Sequence, residues 1–167
     1  SLTINDNIST TGDIDFTQAA SIAFSAVPAD ITIDSRDASD TDGNILFGST
    51  TTNGGQTLIL EAGEGNISLG TMGSNGDELD ALTLGSVTKV DMNGSIYVDN
   101  GLDFTNATRV NIKANSILET DVDDGVVNFS GVLLEGPYGL QINAGGGTVT
   151  IEDAGTLDNL AYLNLEG

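Results

Sequence analysis

The stretch from Asp42 to Leu69 reads DGNILFGSTTTNGGQTLILEAGEGNISL, and the stretch from Asp124 to Ile151 reads DGVVNFSGVLLEGPYGLQINAGGGTVTI. They align without a gap at an offset of 82 residues. Asp42, Gly43, Phe47, Gly54, Leu58, Ala62, Gly63 and Gly65 recur as Asp124, Gly125, Phe129, Gly136, Leu140, Ala144, Gly145 and Gly147. A chain that repeats itself buries its core between neighbouring units, so the repeat decides the fold class before any single element does.

The repeat extends in both directions. Asp15-Phe-Thr-Gln-Ala19 returns as Asp103-Phe-Thr-Asn-Ala107, and over this upstream part the offset is 88, so that Leu2 matches Val90 and Phe24 matches Ile112. The first copy therefore holds about six extra residues between Phe24 and Asp42. Downstream, Leu163-Asn164-Leu165 matches Leu82-Thr83-Leu84. The chain is expected to be one solenoid segment of two long repeats, 1–88 and 89–167, excised from a longer array.

Within each copy, pairs of apolar residues flank a small or polar one. Examples are Ile22/Phe24, Ile31/Ile33, Ile45/Phe47, Leu58/Leu60, Ile67/Leu69 and Leu82/Leu84, followed by Val90/Met92, Val110/Ile112, Val127/Phe129 and Leu140/Ile142. A period of two marks a strand with one buried face. The strands are short, because most show only two inward residues. Asp-Gly, Asn-Gly and Gly-Gly dipeptides between them supply turns with positive φ. No credible helix exceeds one turn, and the best candidate is DELDAL at Asp77 to Leu82. Related triplets return every 20–23 residues. This spacing predicts an all-β parallel β-helix of about eight coils, four to each long repeat, forming a rod on the order of 40 Å long. Phe47 and Phe129, or Phe24 and Phe104, are expected to point inward and stack on aliphatic neighbours. An antiparallel β-sandwich is the alternative.

Composition narrows the function. Acidic residues number 25 against 4 basic ones, a net charge of −21. Arg36, Lys89, Arg109 and Lys113 cannot supply the counterion release that nucleic acid binding requires, and an anionic membrane surface repels such a chain. No apolar run reaches the roughly 18 residues of a membrane helix. Cysteine is absent, which excludes disulfides, thiol catalysis and Cys-ligated metal. The acid keeps an edge-rich structure in solution.

GLDFTNAT at 101–108, the DG-x-I/V-x-F element at 42–47 and 124–129, and L-x-L/I-x-A-G-x-G-x-I/V-x-L/I at 58–69 and 140–151 together resemble the tandem repeats of large bacterial secreted adhesins, the filamentous-haemagglutinin-like and autotransporter-like proteins. The resemblance covers nearly all of the chain. It implies a right-handed parallel β-helix, an extracellular or cell-surface location and a role as stalk or adhesive fibre. The expected partners are neighbouring repeats of the same polypeptide, and exposed coil edges would allow self-association end to end or edge to edge. The family has no catalytic motif to carry over.

The residues themselves offer little chemistry. Polysaccharide-active β-helix enzymes need clustered carboxylates beside a base or His. This chain has no His, and its four bases are scattered. Thr50-Thr51-Thr52 and Thr148/Thr150 do not form the even Thr ranks of an ice-binding face. Five Asn-x-Ser/Thr sequons, at Asn7, Asn66, Asn93, Asn106 and Asn128, are expected by chance in so Asn- and Thr-rich a chain. No cofactor is expected apart from calcium. Its candidate ligands are Asp40 and Asp42 in DASDTDGN, and Asp121, Asp123 and Asp124 in ETDVDDG, acids that occupy matching turns of the two copies. Neither turn matches an EF-hand loop, and an Asp-Gly pair also makes a turn without any metal.

Overall fold

The structure is a computed structural model, and the residues it describes are 1–25, 30–37, 42–48, 51–120, 124–151 and 159–166. Strand follows strand with no helix among these residues. The first turn holds β1 (Leu2–Ile4), β2 (Ile8–Ser9) and β3 (Ile14–Asp15), and the second holds β4 (Ser21–Phe24), β5 (Asp30–Asp34) and β6 (Ile45–Leu46). The third has β7 (Thr51–Asn53), β8 (Thr57–Glu61) and β9 (Asn66–Leu69), and the fourth β10 (Thr71–Met72), β11 (Leu79–Leu84) and β12 (Val87–Met92). In the fifth, β13 (Ile96–Asp103) rounds a corner unbroken and β14 (Ala107–Ile112) follows. The sixth has β15 (Ser116–Glu119), β16 (Val126–Asn128) and β17 (Leu133–Glu135). Beyond it lie β18 (Gly139–Asn143), β19 (Val149–Thr150) and β20 (Tyr162–Glu166).

Every pairing between these strands is parallel and joins one turn to the next. The result is a three-sided β-solenoid. Face A stacks β1, β4, β7, β10, the start of β13, β15, β18 and β20. Face B stacks β2, β5, β8, β11, the end of β13, β16 and β19. Face C stacks β3, β6, β9, β12, β14 and β17. Six turns are complete on all three faces, against the eight coils expected, and only face A reaches eight rungs. Those rungs span about 34 Å at the ordinary strand spacing.

Coil length follows from the face A register. Leu2 lies beside Ile22, Ile22 beside Thr52, Thr52 beside Met72, Met72 beside Ile96, Ile96 beside Leu118, Leu118 beside Ile142 and Ile142 beside Leu165. The steps are 20, 30, 20, 24, 22, 24 and 23 residues. The extra residues of the first copy thus fall in the single long step.

The expectation of about four coils per repeat is made exact by the same register, and it falls short of four. Ile45 lies on face C, but its repeat partner Val127 lies on face B. Leu58 is on face B and Leu140 on face A, while Leu2 is on face A and Val90 on face C. Every such pair is separated by eleven strands, counting β13 once for each face it covers. One repeat is therefore three turns and two-thirds, and the second copy is rotated by one face about the axis.

The alternating residues fill the interior as the period of two requires. On face B, Ile31, Leu58, Leu82, Leu102 and Val127 stack as one buried column. Each such side chain is stabilised by about 1.5–3 kcal/mol of hydrophobic transfer. The phenylalanines depart from expectation by pairing with one another. Phe16 stacks on Phe47 with ring centroids 5.1 Å apart, and Phe104 on Phe129 at 4.6 Å and 4° between planes. These are repeat-equivalent pairs.

DELDAL is neither helix nor loop throughout. Asp77 closes a turn with Ser74, and Leu79–Leu84 is β11. Its register slips between Leu79 and Ala81, and this bulge buries both Leu79 and Leu82 at a spacing that imitates a helix.

Candidate functional site

The acidic turns are the sites that the sequence singles out. Of the five candidate calcium ligands, Asp42 and Asp124 lie among the described residues, whereas Asp40, Asp121 and Asp123 fall outside them. The two visible aspartates do the same work in both copies. Asp42 Oδ2 accepts from the amide of Glu64 at 2.7 Å, and Asp124 Oδ1 accepts from the amide of Gly146 at 2.6 Å. Glu64 and Gly146 are themselves repeat partners. Each carboxylate thus ties its own corner to the corner of the next turn, where a backbone amide would otherwise face solvent unpaired.

A buried hydroxyl completes each corner. Ser35 Oγ donates to the carbonyl of Gly43 at 2.7 Å, and Gly43 N donates to the Ser35 carbonyl at 2.9 Å. Thr120 Oγ1 donates to the carbonyl of Gly125 at 2.9 Å, and Gly125 N donates to the Thr120 carbonyl at 2.9 Å. Ser35 and Thr120 are both fully buried. The backbone amide of Ser35 donates to Glu61 O, and that of Thr120 to Asn143 O, which is again the 82-residue relation. Glycine is required where corners stack. A Cβ on Gly65 would collide with the Gly43 carbonyl, and one on Gly147 with the Gly125 carbonyl.

The first corner also carries charge. Arg36 Nη2 lies 2.8 Å from Asp34 Oδ2, and Arg36 Nη1 lies 3.3 Å from Glu61 Oε2. The Arg36 guanidinium holds the Asp34 carboxyl below the usual carboxylate range. Asp42 is also lowered, first by the amide of Asp37, 2.6 Å from its Oδ1, and then by that of Glu64. Asp15 is lowered by the hydroxyl and amide of Thr17.

The sequence reading missed a polar ladder on the approach to face C. Asp13 Oδ1 accepts from Asn44 N at 2.7 Å and Asn44 Nδ2 at 2.9 Å, and Asn44 Oδ1 accepts from Asn66 N at 2.9 Å and Asn66 Nδ2 at 3.1 Å. The signal was present as an Asp or Asn immediately before Ile14, Ile45 and Ile67. The next two rungs of that column are Lys89 and Arg109, neighbours across the strands. Lys89 pairs with Asp91 at 3.0 Å and Arg109 with Glu135 at 3.7 Å.

The described surface also holds a shallow groove on face B of about 270 Å³, floored by Ala81 and Gly101 and edged by Thr83, Asp103, Val126 and Asn128. No base stands among these residues, so the groove has no partner for Asp103 in acid–base chemistry. Among the described residues, no three acidic side chains converge to form a cation cage. No helix of the described chain is long and apolar enough to cross a membrane. Comparison with known protein families, with curated proteins and with solved structures found no match.

Proposed function

We propose that this chain is a non-enzymatic structural module, a length of stalk or fibre in a large adhesin-like protein on a bacterial surface or in its secretions. The observation that carries this reading is the use made of the polar residues. In both copies the Asp of each acidic turn is engaged in joining one turn to the next, and the Ser or Thr and the Gly are engaged in closing the corner within a turn. The apolar residues form one continuous column from Ile4 to Ile142. Such an object resists bending and presents few convergent functional groups. The resemblance to secreted adhesin repeats supports the location, and the neighbours are further repeats of the same polypeptide. The test is negative-stain microscopy with size-exclusion chromatography of the isolated chain. Short monomeric rods agree with a spacer; a compact globule or turnover of a polysaccharide opposes it.

A second reading is a filament subunit that stacks end to end. Outermost β1 and β20 both lie on face A, each paired on one side only, and they offer Leu2/Ile4 and Leu163/Leu165 in the same inward phase. Leu2 is 40% exposed and Leu165 54%. Unpaired edges of this kind template further strands. Long fibrils in the same microscopy would favour this reading over the spacer.

A further inference from the structure

Four Asn-Gly dipeptides occur in the chain: Asn53-Gly54, Asn75-Gly76, Asn93-Gly94 and Asn100-Gly101. Their chemistry is shared, because glycine exposes its backbone nitrogen to the preceding side-chain amide. Their surroundings differ.

Three are locked into the coil. Asn53 lies within β7, paired with Ala23 of β4. Asn93 donates from Nδ2 to Ser68 Oγ at 2.9 Å, and Gly94 packs against the backbone of Gly70 and Thr71. Asn100 and Gly101 lie within β13, where Gly101 pairs with Ala81 and Val126, and Asn100 Nδ2 donates to Asp80 Oδ1.

Asn75-Gly76 stands apart. The two residues form the tip of a turn closed by Ser74 and Asp77, each donating its amide to the other's carbonyl at 3.1 and 2.8 Å. Both tip residues are exposed. Gly76 has φ +90°, and a Cβ placed on it would meet nothing within 4 Å. Two carboxylates attend this tip. Glu78 Oε1 accepts from the Gly76 amide at 2.5 Å, and Glu119 Oε1 accepts from Asn75 Nδ2 at 3.4 Å.

We infer that Asn75 is a site of self-modification, deamidating through a cyclic imide with Glu78 receiving the proton. The Gly76 nitrogen attacks Cγ of Asn75, and its proton passes to the Glu78 carboxylate. The bond from Cγ to Nδ2 breaks, and Nδ2 leaves as ammonia carrying that proton. Water then opens the ring at either carbonyl, leaving an aspartyl or isoaspartyl linkage at position 75. Water is consumed, ammonia is released and nothing is oxidised. Proximity of nucleophile, electrophile and proton acceptor on one open turn gives this dipeptide its lead over the other three. The product places a new negative charge beside Asp77, Glu78 and Glu119. The tip lies outside the strand ladders, so the coil itself survives the change.

The test is peptide mapping by mass spectrometry of the folded protein, held in mildly alkaline buffer well below its melting temperature. Product at position 75 should accumulate several-fold faster than at Asn53, Asn93 or Asn100. Asn75→Gln should abolish the leading product without altering the circular dichroism, and Glu78→Gln should slow it several-fold. Equal accumulation at all four dipeptides, or a lead at another, would overturn the site. An unchanged or faster rate in Glu78→Gln would overturn the role of Glu78.

Discussion

The corner at Asp42 and the corner at Asp124 make matching bonds, with Ser35 in the first where Thr120 stands in the second, yet they sit on different edges of the solenoid. The first leads onto face C and the second onto face B. A duplication that preserved whole turns would have kept them in line. This one advances eleven strands, so the conserved unit is one strand with its corner. Because each corner cassette carries its own hydroxyl, carboxylate and glycine contacts, it works on whichever face it lands. The two corners differ in length, Gly43 lying eight residues after Ser35 and Gly125 five after Thr120, and the first also has Arg36 paired with Asp34 and Glu61.

The largest test of this equivalence lies in the aromatic pairs beneath the corners. Phe129→Ala and Phe104→Ala should each cost about 3–5 kcal/mol, as a large buried ring removed from a packed interior does. Phe16→Ala should cost less than Phe104→Ala, since Phe16 retains 9% exposure against 1%. Urea denaturation of the three phenylalanine variants would sharpen the comparison, and equal losses at Phe16 and Phe104 would break it. Next come Gly65→Ala and Gly147→Ala, which force a methyl against the carbonyl of the preceding corner. Each should cost about 1–3 kcal/mol by overpacking, with the two losses alike. Thermal melts that separate them widely would show that the corners are not interchangeable. Ser35→Ala and Thr120→Val remove one buried hydrogen bond apiece and should each cost about 1 kcal/mol, or more where the carbonyl is left unpaired.

The smallest effect is on pH dependence. Asp34 and Asp42 are held below the ordinary aspartate value of about 3.9 in the folded state. The stability they contribute is present above that value and is lost as pH falls through their lower folded values. Acid titration of the melting temperature should therefore show a shallower decline in Asp42→Asn than in the parent chain. Identical acid limbs would remove Asp42 from the account.

Much of this architecture was legible because a strand alternates faces, so Leu58/Leu60 and Val90/Met92 announce their burial at a period of two. The repeat itself was read from identities alone. Its rotation was not, since an offset of 82 residues counts residues, whereas rotation counts strands, and coil lengths vary from 20 to 30. The Phe16–Phe47 and Phe104–Phe129 stacks escaped for the same reason, each joining residues one irregular turn apart. Leu79 and Leu82 imitated a helix because a bulge shifted the alternation. The acidic turns were found as sites, but sequence alone could not show that Asp42 and Asp124 serve the amides of the next turn. The Asn44–Asn66 ladder shows the converse, a signal printed at equal positions before each isoleucine and passed over because amides in turns are common.

Disulfide trapping of engineered cysteine pairs tests the central claim most directly. Ser68 pairs in register with Asp91 on face C, and Asn128 with Thr150 on face B, while Ser68 and Thr83 lie on different faces. Parallel neighbours about 4.8 Å apart fall within disulfide range. Cysteines at 68 and 91, and at 128 and 150, should oxidise readily, and cysteines at 68 and 83 should not. Rapid bridging of 68 to 83 with failure of the other two pairs would mean hairpins rather than stacked turns, and would contradict the account.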